Sequence, residues 1–123
     1  MAKKKISNGV VADAYLTLLA DRGVDYLFGN AGTDFAPLIE SYSKMRANGT
    51  KVPEPITCPH ENVAMGMAQG YYVMTGRPQT VMVHVNVGTA NAVCGLVNAY
   101  KGNIPVPVSL NGVRPAENRT GIL

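Results

Sequence analysis

Two histidines and one glutamate are the residues of this 123-residue sequence best suited to proton chemistry. His60 and Glu61 directly follow a short apolar segment, and His84 lies near the end of another, within the run VMVHV. An imidazole has an ordinary pKa of about 6.5, so it can take up and release protons at neutral pH. A carboxylate in a partly dry cleft can hold a hydrogen bond or share a proton. The sequence therefore predicts an acid–base site if the fold brings these side chains together.

Alternating strands and helices are predicted to position these side chains. Hydrophobic patterning predicts strands at 24–28, 55–58, 79–85 and 104–110, and helices at 9–22, 34–45, 61–74 and 90–101. This order predicts an α/β fold, a doubly wound parallel sheet with helices on both faces. Such sheets bind ligands beyond the carboxyl ends of their strands, which is where Glu61 and His84 fall.

The two ends of the chain differ in composition from its middle. Residues 1–8 are predicted to be a basic tail and residues 111–123 a polar tail, which leaves 9–110 as the domain. Pro105 and Pro107 lack N–H donors, so the fourth strand should pair fully on one side only and lie at a sheet edge. Doubly wound sheets usually have more strands, so we expect a sheet that is truncated after about four.

Glycine-containing turns are predicted after the first and third strands, at Gly29–Thr33 and Asn86–Thr89. Neither turn has the G-x-G-x-x-G spacing of a dinucleotide site, and the sequence contains no Walker motif. For Gly32 and Gly88 the structural alternative is a tight connection between strand and helix, in which glycine relieves steric conflict.

Ordinary structural roles also exist for the polar residues. Glu61 would lie in the first turn of a helix, where a carboxylate offsets the helix dipole. Thr33 or Asp34 would cap the helix that begins beside them. His84, in an otherwise apolar strand, would be a core histidine with satisfied hydrogen bonds, although its position at the strand end favours a cleft.

Composition argues against several classes of function. The net charge of +3 arises from 11 basic and 8 acidic residues, and Lys3–Lys5 in the basic tail account for it, so no nucleic-acid partner is predicted. No apolar run is long enough for a membrane helix, and the N-terminus is unlike a signal peptide, so we expect a cytoplasmic protein. Cys58 and Cys94 are predicted to be buried, reduced thiols, and no metal site is predicted.

A small charged fraction indicates that part of the surface is covered. Only 15% of the residues are charged, whereas about 25% is usual. The predicted helix 61–74 carries the pattern Gly66-x-x-x-Gly70, and a glycine inside a helix costs up to about 1 kcal/mol relative to alanine. Close packing against this face, by an internal helix or by another subunit, would offset that cost.

Three segments of the chain carry motifs that occur together in one enzyme family. They are VDYLFGNAGTDFAPLIES, CPHENVAMGMAQGYYVMTGRP and VMVHVNVGTANAVCGLVNAYKGNIPV. The second is similar to the pattern H-E-x-x-A…A-x-G-Y-x-x-x-T-G. Together they resemble the N-terminal pyrimidine-binding domain of thiamine-diphosphate-dependent enzymes, the family of acetolactate synthase and benzoylformate decarboxylase. The resemblance spans most of residues 9–108 in the family's order.

The resemblance implies roles for individual residues. Glu61 stands where the family has the glutamate that hydrogen-bonds the cofactor's aminopyrimidine and drives its imino form, which takes the proton from thiazolium C2. His84 stands where benzoylformate decarboxylase has an active-site histidine, and Thr33 would contact the substrate. The other implied cofactor contacts are Gly32, Asn86, Gly88 and Asn91. A decarboxylase or lyase of 2-oxo acids is therefore favoured, with an acetolactate-synthase-like carboligase as the alternative.

The sequence departs from the family in what it lacks. The family holds the diphosphate and Mg²⁺ on a second domain with a G-D-G…N-type motif, which this chain does not contain. We therefore expect a half-site that is inactive alone and incomplete without that domain. The expected partners are a homo-oligomer (dimer or tetramer) or a partner chain carrying the diphosphate-binding domain. Two other interpretations stay open: a truncated domain that only folds and self-associates, and a flavodoxin-like small-ligand module.

Overall fold

Helices and strands alternate through residues 9–111, the part of the chain that the computed structural model describes. The strands are β1 (Tyr26–Gly29), β2 (Glu54–Thr57), β3 (Thr80–His84) and β4 (Val108–Asn111). The helices are α1 (Val11–Asp21), α2 (Ala36–Ala47), α3 (Glu61–Thr75) and α4 (Val85–Lys101), with a 3₁₀ turn at Thr33–Phe35 before α2. The predicted tail 1–8 and residues 112–123 lie outside the described residues. No helix within 9–111 is long and apolar enough to cross a membrane.

The four strands form one parallel sheet in the order β2-β1-β3-β4. From β1 the chain adds β2 on one side, then crosses back over β1 to add β3 on the other. This reversal makes the space beyond the carboxyl ends of β1 and β3 the point at which such sheets bind ligands. Gly29 ends β1 and His84 ends β3, so these residues flank that point. The predicted doubly wound parallel sheet is confirmed.

Two hydrophobic clusters show that helices cover both faces of the sheet, as predicted. On one face, α1 and α2 pack against the strands through a cluster that includes Leu16 and Met82. On the other face, α3 and α4 pack through a cluster that includes Met65 and Val83. Successive side chains of a strand point to opposite faces, which is why Met82 and Val83 join different clusters.

The fourth strand differs from the predicted range 104–110. Pairing begins at Val108, after both prolines, and continues to Asn111, one residue into the predicted tail. A proline has no N–H for a ladder, although the carbonyl of Pro107 accepts the N–H of Val81 at 3.0 Å. Among the described strands β4 pairs only with β3, so its predicted place at an edge is confirmed.

The predicted glycine turn at Asn86–Thr89 is wrong, because α4 begins directly at Val85. The chain turns from strand into helix within one residue, and Val85 has a φ of 36°. A β-branched residue rarely adopts this left-handed conformation, so the junction is strained. Gly88 consequently lies buried in the first turn of α4 and not in a loop.

Helices α3 and α4 pack closely, but not through the glycines predicted to do so. A Cβ built at Gly95 of α4 would fall 2.5 Å from the Cβ of Met65 on α3, so only glycine fits there. Around Gly66 and Gly70, by contrast, nothing lies within 4 Å of a built Cβ. The prediction that an internal helix packs on the Gly66-x-x-x-Gly70 face is therefore wrong for residues 9–111, in which that face is open.

Only one of the two cysteines is buried as predicted. Cys58, which follows β2, is 1% exposed, and burial raises the pKa of its thiol. Cys94 lies exposed on α4 because it faces away from the sheet. Both thiols are free.

Candidate functional site

Glu61 is a buried carboxylate at the carboxyl edge of the sheet. It begins α3 shortly after β2, and only 3% of the residue is exposed. The side-chain amide of Asn30, from the connection after β1, donates to Oε1 at 3.2 Å. The side-chain amide of Asn91, from α4 after β3, donates to Oε2 at 3.0 Å. Residues that follow three different strands therefore meet at one carboxylate.

Hydrogen bonds around Glu61 stabilise its ionised form. Burial alone raises the pKa of the carboxyl group, but hydrogen bonds from its own backbone N–H and from Asn91 and Asn30 outweigh that effect. The neighbouring His60 adds a smaller electrostatic contribution in the same direction, and the pKa falls below its ordinary value of 4.5. At neutral pH the carboxylate is an acceptor with lone pairs left for a further donor.

Gly88 leaves space beside this carboxylate. A Cβ built at Gly88 would lie 3.1 Å from Oε1 of Glu61 and 3.2 Å from the Cβ of Val83. Any larger residue would press on the carboxylate or on the strand. Since φ of Gly88 is not in the left-handed region, the glycine serves this close approach and not a tight turn.

His84 and Asp34 form a second polar contact at the same edge. Nδ1 of His84 lies 2.5 Å from Oδ1 of Asp34, which belongs to the 3₁₀ turn after β1. The two side chains are 38% and 13% exposed, respectively. Gly32 packs against the ring, because a Cβ built there would fall within 2.5 Å of Cε1 and Cγ and closer still to Nδ1. Asp34 and Gly32 thus hold the imidazole against the segment that follows β1.

Thr33 and Asp34 do not cap α2, contrary to the structural alternative. The helix begins after Phe35, with no side-chain cap hydrogen bond. The Asp34 carboxylate instead contacts His84, and Thr33 is exposed beside it. Asp34, predicted as a possible cap, therefore contacts the end of β3 instead.

Two further predicted residues lie at the rim of the site. Asn86 is exposed in the first turn of α4. His60 is exposed and caps α3, where its Nδ1 accepts the N–H of Asn62 at 3.1 Å. The structure thus brings Glu61 and Asn91 into contact, while Asn86 and His60 stay at the surface.

Asn30 and Asp34 are missing from the predicted site. Asn30 donates to Glu61, and Asp34 contacts His84. Both residues belong to the connection after β1, and their position beyond a strand end was the available signal. Their partners lie far away along the chain, so the sequence pattern alone could not pair them.

The site offers two kinds of chemistry at one sheet edge. Glu61 is a dry, oriented acceptor, whereas His84 is a half-exposed group that can exchange a proton with a bound molecule. Within residues 9–111, no group of three or more His, Cys, Asp or Glu side chains is arranged to hold a metal ion. Glu61 can form hydrogen bonds and His84 can exchange protons.

The chain is similar in sequence to known proteins. The chain is 32% identical over 105 residues to the acetolactate synthase large subunit of Haemophilus influenzae, an alignment that covers 85% of this chain. It is 29% identical over 102 residues to the benzoylformate decarboxylase of Pseudomonas aeruginosa, covering 80% of this chain. It spans only 17% of the length of each of these relatives.

A solved structure and a family match agree with these similarities. The thiamine diphosphate-dependent 4-hydroxybenzoylformate decarboxylase of Rhodococcus jostii superposes with a TM-score of 0.68 at 26% identity, over 84% of this chain and 18% of that one. Residues 10–120 match the family described as thiamine pyrophosphate enzyme, N-terminal TPP binding domain. The chain belongs to the thiamine pyrophosphate enzyme family, and it corresponds to the N-terminal domain of that family's members.

Proposed function

We propose that this chain supplies the pyrimidine-binding half of a thiamine diphosphate site, in which Glu61 hydrogen-bonds the cofactor's aminopyrimidine. The observation that carries the proposal is the buried carboxylate of Glu61, held by Asn30 from the connection after β1 and by Asn91 from α4. A carboxylate that only offsets a helix dipole acts at the exposed surface of a first turn and needs no such amide donors. Membership of the family supports the choice of ligand.

The residues around Glu61 fit an aminopyrimidine. An exocyclic amine and a protonated ring nitrogen are donors, and an ionised carboxylate is an acceptor with unused lone pairs. Gly88 provides room beside Oε1, where a Cβ would otherwise lie. The proposed lining of the cofactor site is Glu61, Gly32, Asn86, Gly88 and Asn91.

Glu61 acts in this proposal by sharing a proton. When bound, thiamine diphosphate supplies a thiazolium carbon that becomes a nucleophile toward 2-oxo acids once it is deprotonated. Burial of Glu61 favours its neutral form and the amides of Asn30 and Asn91 favour its ion, so two opposing effects set its affinity for that proton. The same two amides keep the carboxylate oriented while the proton moves.

His84 favours a decarboxylase or lyase of 2-oxo acids. Its ring is 38% exposed at the end of β3, so it can reach a substrate bound at the carboxyl edge. Thr33, exposed in the neighbouring turn, is the proposed substrate contact. An acetolactate-synthase-like carboligase is the second candidate, since the relatives of the chain include enzymes of both names.

The proposed half-site needs a second half to bind the diphosphate and Mg²⁺. We assign that half to a domain carried by a partner chain. The proposed assembly is a complex with that chain or a homo-oligomer, a dimer or tetramer. One face of α3 and α4 is apolar and exposed, which suits such a contact. Its members are Val63, Gly66, Met67, Gly70, Val93 and Val97. The two free cysteines agree with a reducing compartment such as the cytoplasm.

Calorimetric titration with thiamine diphosphate and Mg²⁺ tests this function. The 123-residue chain is titrated alone and with a chain that carries the diphosphate-binding domain. We expect binding and 2-oxo acid decarboxylation only in the combined sample, and loss of activity in Glu61→Gln. The control is Glu40→Gln, because Glu40 is exposed on α2. Full activity of the combined Glu61→Gln sample would show that the assignment is wrong.

The exposed face of α3 and α4 also supports a second candidate, a non-catalytic domain that folds and self-associates. In that case the face would be covered by another copy of the chain and no cofactor would bind. Analytical ultracentrifugation with and without cofactor separates the two functions. Self-association that is unchanged at saturating cofactor, with no heat of binding in the combined sample, favours the non-catalytic domain.

A further inference from the structure

We propose that Asp34 is a positioning residue that holds His84 as the Nδ1–H tautomer and leaves Nε2 unprotonated on the substrate side of the ring. The proposal rests on the proposed function for the identity of the substrate, a 2-oxo acid. It goes further by giving a role to Asp34, which lies 50 residues away from His84 in the sequence.

The contact between these residues fixes which ring nitrogen carries the proton. Oδ1 of Asp34 lies 2.5 Å from Nδ1 of His84. An ionised carboxylate has no proton to donate, so the neutral ring must donate from Nδ1. In a neutral imidazole the other nitrogen, Nε2, is then an acceptor. The Asp34 side chain is only 13% exposed, so water competes little for this hydrogen bond.

Gly32 restricts the position of the same ring. The glycine backbone lies against the Nδ1 side, since a built Cβ would fall within 2.5 Å of Cε1 and Cγ. Gly32 and Asp34 cover the Nδ1 side of the ring, 38% of the side chain is exposed, and Nε2 is not among the buried nitrogens that lack a hydrogen bond. The unprotonated nitrogen therefore faces the open part of the site.

The backbone directly after His84 is strained, which is consistent with a ring that the fold holds in a fixed position. Val85 has a φ of 36° although it is β-branched. Strained residues of this kind persist where the surrounding structure requires them, and they cluster at functional sites. The sharp turn ends β3 at His84, which leaves the ring at the sheet edge opposite Asp34.

This tautomer gives His84 a defined step with a 2-oxo acid or its product. Nε2 takes a proton from solvent water, so that an N–H bond forms as the O–H bond of the water breaks. The resulting imidazolium stays paired with the carboxylate of Asp34, which does not itself take up the proton. The ring then gives this proton to the carbonyl oxygen of the 2-oxo acid as negative charge develops there, so that an O–H bond forms as the N–H bond breaks and the neutral Nδ1–H ring is restored.

Nuclear magnetic resonance of the two imidazole rings tests the proposal in the full 123-residue chain. The sequence has only two histidines, and the other one is an internal reference with the opposite tautomer. The Nδ1 of His60 accepts the N–H of Asn62 at 3.1 Å, so a neutral His60 must carry its proton on Nε2. Long-range ¹H–¹⁵N spectra, recorded up to a pH at which both rings are neutral, report each tautomer directly.

We expect one ring of each tautomer in the natural chain, with His84 protonated at Nδ1. Asp34→Ala removes the acceptor, and His84 should lose its Nδ1–H signature while His60 keeps its own. Glu40→Gln, an exposed carboxylate on α2, should change neither ring. A natural chain in which His84 is protonated at Nε2 would overturn the proposal, and this result does not depend on whether a variant folds. An unchanged His84 signature in folded Asp34→Ala would overturn it equally.

The outcome is distinguishable from failure of the proposed function, because the tautomer is read without any cofactor. Absence of cofactor binding in the combined sample, together with an Nδ1–H His84, overturns the function and leaves the positioning role of Asp34. Cofactor binding together with an Nε2–H His84 overturns the positioning role of Asp34 and leaves the proposed function.

Discussion

Asn91 donates its side-chain amide to Oε2 of Glu61 at 3.0 Å, which ties the second turn of α4 to the first turn of α3. The acceptor is buried and ionised, so the hydrogen bond is charge-assisted and stronger than a neutral one. The carboxylate proposed to serve the cofactor therefore also stabilises the fold. Because of this double role, stability measurements on the chain alone can test the contacts of Glu61.

Asn91→Ala should lower the free energy of unfolding by about 2 kcal/mol at neutral pH, because a hydrogen bond to a charged group contributes about 1.5–3 kcal/mol. Urea denaturation followed by circular dichroism measures the change. Asn98→Ala is the matched control, since Asn98 is an exposed asparagine of the same helix. It should change stability by no more than about 0.5 kcal/mol. Equal effects of the two substitutions would contradict the role given to Asn91.

Glu61→Gln should destabilise the chain at neutral pH and much less in acid. The folded pKa of Glu61 is lower than the ordinary value of 4.5, so its ionised form contributes stability that is present above that value. This contribution is lost as the pH falls through the folded pKa. Denaturation of both chains over a pH series should show a difference that narrows below pH 4.5. A difference that is constant across the series would show that the charge of Glu61 is not what stabilises the fold.

Two glycine substitutions should have opposite effects although both lie inside helices. Gly66→Ala should raise stability by up to about 1 kcal/mol, because alanine is the better helix former and nothing lies within 4 Å of the new Cβ. Gly95→Ala should lower stability, because its Cβ would fall 2.5 Å from the Cβ of Met65 and force α3 and α4 apart. Thermal melts of the two variants check this. A stabilised Gly95→Ala would contradict the observed packing of the helices.

The two thiols should react at different rates with a disulfide reagent. Cys94 is exposed, whereas Cys58 is 1% exposed and burial raises the pKa of its thiol, so less of the reactive thiolate is present. We expect one fast thiol in the folded chain and two after denaturation. Cys94→Ser should remove the fast phase. A fast phase that survives this substitution would place the reactive thiol at Cys58.

The spacing of apolar residues along the sequence was sufficient to predict the fold, because this spacing differs between helices and strands. It failed where a single residue decides the geometry. Val85 takes a left-handed φ of 36°, which its β-branched side chain does not predict. Helix α4 therefore begins earlier than the predicted glycine turn at Asn86–Thr89 indicated. Similarly, the apolar run 104–110 resembles a strand throughout, but pairing starts only at Val108, beyond its prolines.

Glu61, His84 and Asn91 were predicted as site residues from the sequence, whereas Asn30 and Asp34, which contact Glu61 and His84, were not. Glu61 and His84 follow from their places at strand ends. Asn30 and Asp34 hold these two residues across 31 and 50 positions of sequence. Such contacts depend on the side-chain conformations that the packed connections impose, so an individual residue type does not reveal them. The same is true of Gly32, whose need for glycine comes from the His84 ring and not from its own backbone.

The rate at which the cofactor's thiazolium C2 proton exchanges for deuterium tests the role of Glu61 most directly. The measurement uses the chain combined with a partner that carries the diphosphate-binding domain, and compares the natural sequence with Glu61→Gln. Positioned proton transfer typically contributes about 10²–10⁴-fold in rate, so exchange in the variant should be slower by at least about 10²-fold at equal cofactor occupancy. Exchange at the natural rate in fully occupied Glu61→Gln would contradict the proposal that Glu61 activates the cofactor.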